Sequence, residues 1–182
     1  MTGKTAMTDI RTTPEHSTGT GASVPADTHP GTADASTGRD AHASHATSWG
    51  LLPLRVVLGV TFLMHGWQKA SEWGLSGTAE SFEGMGIPTP AASAVFAAVV
   101  ELAGGLALIL GVLTRIAGVL LALDMLGALA LVHASEGFFA SDGGLEYVLL
   151  LAAASLALAL TGPGRFAVAR ALPGRGAGRI LA

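Results

Sequence analysis

Four apolar runs separated by short polar stretches follow residue 48, and they restrict the chain to one kind of fold. They cover residues 51–69, 91–113, 115–134 and 145–161, between 17 and 23 residues each. At about 1.5 Å per residue, a helix of about 20 apolar residues crosses a hydrocarbon layer of about 30 Å. Inside lipid the backbone must satisfy its own hydrogen bonds, so each run is expected to be a helix. The connection at Thr114 leaves room only for a tight hairpin, which makes the second and third spans antiparallel neighbours. The predicted fold is an all-α membrane protein, a four-helix transmembrane bundle, with the fourth span the shortest.

Composition agrees with this reading. Half of the 182 residues are apolar, 13% are charged and only 5% are aromatic, while glycine occurs 25 times. Abundant glycine with few aromatics fits helices that approach one another closely in lipid. Cysteine is absent, so the chain supplies no disulfide, thiolate nucleophile or Cys-ligated cluster. A net charge of −3 gives no basic nucleic-acid surface, and nucleic acid is not an expected partner.

Three regions follow. Residues 1–48 are rich in Thr, Ala, Gly, Ser, Asp and Pro and are expected to form a disordered polar cytoplasmic tail, since they cannot bury enough apolar surface to offset ordering. The tail also lacks the apolar stretch of a secretory signal. Its four histidines, His16, His29, His42 and His45, are read as solvated. Residues 49–172 hold the spans, and 173–182 form a short basic tail.

Positive charge near the span ends sets the expected orientation. Arg55, Arg115, Arg165, Arg170, Arg175 and Arg179 flank one side, whereas the loops 71–90 and 135–144 carry Glu72, Glu80, Glu83, Glu136 and Asp142. Both termini and the middle turn are expected in the cytoplasm of a bacterium, with the acidic loops outside its cytoplasmic membrane. Arg55 and Arg115 are read as cytoplasmic-side anchors that snorkel.

Ionisable groups within the spans are costly in lipid and need partners. Arg55, Phe62, His65, Gly66 and Lys69 share one stripe of the first span. Glu101 and Asp124 fall at nearly the same depth of spans two and three, so two ionised carboxylates there would repel. Small residues beside both, among them Gly104, Gly105 and Gly127, mark helix contacts. His65, His133 and Glu146 lie toward the acidic-loop end and could gather. Two imidazoles could ligate haem or a metal, or shuttle protons to a quinone; the simpler reading is that each caps a helix end. No metal site is assigned. Glu101 and Asp124 admit a functional and a structural reading alike.

Several short stretches together resemble the DoxX family of small bacterial membrane proteins over residues 49–172. They are Leu54-Arg55, Leu58-Gly59, Phe62-Leu63-Met64-His65-Gly66 with Lys69, Gly86-Ile87-Pro88-Thr89-Pro90, Glu101-Leu102-Ala103-Gly104-Gly105, Gly111-Val112-Leu113-Thr114-Arg115, Gly144-Leu145-Glu146-Tyr147 and Gly162-Pro163-Gly164-Arg165. The resemblance implies a four-helix membrane bundle acting as anchor or subunit of an oxidoreductase assembly, linked to a quinone or to oxidative stress. Its implied partners are of dismutase, sulfurtransferase or dehydrogenase type. A small oligomeric transporter and a purely structural membrane protein are the alternatives, the first requiring a homo-oligomer. The family carries no agreed catalytic residues to this chain.

Overall fold

The computed structural model describes residues 33–171, in which the chain is helical and contains no strand. In order the helices are α1 (Ala33–Trp67), α2 (Gly74–Gly84), α3 (Pro90–Leu110), α4 (Thr114–Ala128), α5 (Glu146–Thr161) and the single turn α6 (Val168–Ala171). α1 runs on through a π-helical turn at Gln68–Glu72, and α4 through another at Leu129–His133. By length and composition three stretches can cross a membrane: Thr47–Glu72, Pro90–Leu110 and Thr114–His133. The fourth apolar helix, α5, has 16 residues. At about 1.5 Å per residue it is some ~24 Å long, less than a full hydrocarbon layer.

α1 packs along α3 and α4 along α5, while α3 and α4 join the two pairs. Glycine sets the spacing. A Cβ on Gly105 would stand 2.6 Å from the Gly59 carbonyl oxygen and 2.6 Å from the Leu63 nitrogen. Gly66 meets the Leu102 backbone in the same way, and Gly118 meets the Ser155 carbonyl. Backbones this close gain dispersion contacts, the main attraction available between helices in lipid. Phe62, Leu108, Leu121 and Leu158 fill the interior with no exposed surface. The outside remains apolar, with Val57, Met64, Val99, Leu123, Leu150 and Leu160 all more than half exposed. Such a coat suits lipid and would be a liability in water.

The helices depart from the expected spans in places, and the differences have local causes. α3 stops at Leu110 rather than residue 113 because Gly111 takes a left-handed φ of 71° and its N–H returns to the Ala107 and Leu108 carbonyls. The polar stretch 71–90, read as a loop, holds α2, which lies against α3. Of the expected tail, residues 1–32 lie outside the described residues, as do 172–182 at the other end. Backbone 33–48 continues α1 as helix; extending an existing helix avoids the cost of nucleation.

The arginine end is tied together by Arg55, which is 2% exposed. Its Nη1 donates to the Pro163 carbonyl at 2.7 Å and its Nη2 to the Phe166 carbonyl at 2.9 Å. Trp49 packs against Phe166 in a tilted arrangement with ring centroids 4.6 Å apart. Arg115 donates to the carbonyls of Ala159 and Leu160 at 3.2 and 3.0 Å, covering acceptors left free at the end of α5.

Replacing Gly105 with Val should lower stability by roughly 1–3 kcal/mol, because backbone rather than a yielding side chain opposes the new atoms. Gly127→Ala, where a Cβ meets nothing within 4 Å, should be neutral or stabilising. Thermal unfolding of both variants in one detergent compares them directly.

Candidate functional site

Glu101 sits in the middle of α3, on the buried face that also carries Ala97, Ala98, Gly104 and Gly105. A bare carboxylate there would be costly, and the structure supplies a cation from α1. Lys69 Nζ lies 2.8 Å from Oε2 and 3.1 Å from Oε1 of Glu101. The Lys69 side chain keeps 15% exposure and that of Glu101 only 3%.

Helix geometry explains how residues at different depths meet. Gly66 of α1 is pressed against Glu101 and Leu102, so Lys69 lies nearly a turn closer to the acidic-loop end. Side chains lean toward the N-terminus of their own helix, and α1 and α3 are antiparallel. Lys69 therefore leans into the bundle while Glu101 leans toward it.

Asp124 comes from α4. Gly104 is pressed against Leu121, and Asp124 and Glu101 each lie three residues from that contact on the same side, which puts them at one level. The charges of Glu101 and Lys69 both act on Asp124. Its Oδ2 is buried and makes no hydrogen bond within the described residues. The Lys69 ammonium bonds Glu101 alone, and one oxygen of Asp124 remains a free acceptor.

His65, half-buried one turn before Lys69, lies within electrostatic reach of Glu101. Its ring faces Tyr147 of α5, with centroids 6.3 Å apart. The remaining candidates go elsewhere. His133 donates from Nδ1 to the Gly143 carbonyl at 2.6 Å, and Glu146 Oε1 accepts the Ala140 N–H at 3.0 Å. Both fasten the α4–α5 connection, so His65, His133 and Glu146 have separate partners. No group of three or more potential metal-ligating side chains occurs among the described residues.

Lys69 shares the expected stripe of the first span, but the stripe alone does not name Glu101 as its partner. The overlooked signal was electrostatic. A carboxylate ten residues inside a helix needs a cation at reach, and Lys69 is the cation that stripe offers toward the acidic-loop end. Tyr147 was noted only as the residue beside Glu146. Chemically, the arrangement offers a proton or a hydrogen-bond donor a place at Asp124, near a fixed ion pair.

Comparison with known proteins bears on what such an arrangement serves. The family model described as DoxX matches residues 50–134. A Bacillus subtilis protein named "Putative oxidoreductase CatD" is 40% identical over 113 residues, covering 62% of this chain and 79% of that protein. The inner membrane protein YqjF of Escherichia coli is 32% identical, covering 68% of this chain and 92% of its own length. A Mycobacterium tuberculosis protein named "Uncharacterized membrane protein Rv3486" is 33% identical, covering 67% and 80%. No solved structure matches the chain significantly.

Removing one member of the ion pair should have unequal effects. Lys69→Ala strands a carboxylate that is almost fully buried, a change that costs roughly 3–5 kcal/mol in comparable buried pairs. Glu101→Gln leaves a lysine that can swing its ammonium toward water, and should cost clearly less. Thermal unfolding in a single detergent compares the two; equal losses would show that burial does not govern the pair.

Proposed function

Because the chain belongs to the DoxX family, we propose that this multi-pass membrane protein is the membrane subunit of a redox assembly, with the Lys69–Glu101–Asp124 cluster as its working site. The observation that carries the reading is the buried, unpartnered Oδ2 of Asp124 beside an already satisfied ion pair. Buried polar groups are expected to be satisfied, and of the four buried side-chain atoms without a partner among the described residues (Arg55 Nε, Thr114 Oγ1, Ser155 Oγ and Asp124 Oδ2) only that of Asp124 belongs to a carboxylate. The oxidoreductase name of the Bacillus subtilis relative supports the same direction.

A quinone is the redox carrier that fits this site better than haem. Reduction of a quinone by two electrons consumes two protons, and carboxylates with an adjacent imidazole are suited to move protons within a membrane. Haem ligation through His65 and His133 loses its support, since the two rings have different partners at separate elements. The chain has no cysteine to carry electrons. These come from an associated enzyme of dehydrogenase, dismutase or sulfurtransferase type. The protein resides in the cytoplasmic membrane with its arginine end inward; its basic flanks and the inner-membrane names of the Escherichia coli relatives favour this.

Purification from the native host through a C-terminal tag in mild detergent, followed by mass spectrometry against an untagged control, tests the assembly. The expected outcome is recovery of a redox enzyme in fixed ratio. Recovery of the protein alone would contradict the subunit role.

A further inference from the structure

α2 lies against α3 and against the π-helical turn that contains Lys69. Of its 11 residues only Thr78 is buried. The Thr78 hydroxyl, with no exposed surface, donates to the Lys69 carbonyl at 2.9 Å. The one buried side chain of α2 therefore bonds the residue whose ammonium holds Glu101.

The ends of α2 have the character of hinges. Gly74 opens it at φ 70° and Gly86 follows it at φ 73°, a conformation that favours glycine. A Cβ at either would meet nothing within 4 Å, so nothing packs against these points. A helix of 11 residues is marginal by itself, and segments with few buried contacts open at the lowest free energy. The π-helical turn adds a second adjustable element, since its backbone already departs from α-helical register. It is closed by the Trp73 N–H to the Gln68 carbonyl at 3.0 Å.

We propose that α2 is a hinged lid over the Lys69–Glu101 pair, with Thr78 as its latch and as a positioning residue for Lys69. Lifting α2 breaks the Thr78 bond and frees the turn to tighten toward α-helical register. Such a change swings Lys69 by up to about 100° around the α1 axis. Glu101 is then open to water from the acidic-loop end. The lid rests on the proposed redox role only for its purpose, which is to gate proton exchange; its motion belongs to the isolated protein.

The chain has no cysteine, so a single introduced thiol reports without background. Ala94 is fully buried although it lies in the second turn of α3, at the acidic-loop end. In nanodiscs, Ala94→Cys should react slowly with a water-soluble maleimide. Adding Thr78→Val should speed the reaction roughly two- to tenfold, the population change that loss of one neutral hydrogen bond gives. Thr78→Ser should restore the slow rate. Equal rates in all three would overturn the proposal. Should Thr78→Val fail to fold, hydrogen exchange of the unaltered chain decides. Residues 68–84 should exchange together and faster than 97–108, and equal protection of the two segments would overturn the lid. A mobile lid in a protein that recovers no redox enzyme would remove the proposed function and leave the lid; an immobile one in a protein that does would do the reverse.

Discussion

A carboxylate in the middle of an apolar bundle is the constraint around which this protein is arranged. Glu101 is almost wholly shielded, and it is tolerable there because Lys69 reaches it from another helix with both carboxylate oxygens engaged. That pairing fixes how far α1 must extend, which way its last turn faces and how close it must come to α3. The π-helical turn at the end of α1 and the Thr78 bond to the Lys69 backbone both act on that one residue.

The close helix approach that makes this reach short is a property of glycine. Gly59, Gly66 and Gly105 let the α1 and α3 backbones come within contact distance, and Gly118 does so for α4 and α5. Sequence and packing therefore connect directly to the charge cluster, because a bulkier residue at Gly66 would meet both the Leu102 backbone and the Glu101 Cβ. At the other end Arg55 performs a separate task. It draws the segment after α5 onto α1 through two backbone carbonyls, so its charge is spent inside the protein rather than among lipid headgroups.

Much of the fold was legible in the sequence, since length and hydropathy alone locate helices in lipid. The helical runs, the tight turn that the structure places at residues 111–113 and the shared level of Glu101 and Asp124 all follow from counting residues at helical rise. Features decided by side-chain bonds were not legible. α2 has only one buried residue, so it carries almost no apolar pattern to announce it. The π-helical turns leave hydropathy unchanged. His65, His133 and Glu146 are expected from the sequence to gather at one end of the bundle, but hydrogen bonds to Gly143 and Ala140 direct two of the three into a loop. Lys69 was readable as a partner only by asking which cation could reach a buried acid.

The free acceptor at Asp124 is proposed to serve a redox carrier. A short-chain ubiquinone titrated into the protein in nanodiscs, with thermal unfolding as readout, tests it most directly, because a ligand of the folded state raises the unfolding temperature with concentration. A saturable rise is expected for the unaltered chain, lost or much reduced in Asp124→Asn. No rise at all, or the same rise in Asp124→Asn, would contradict it.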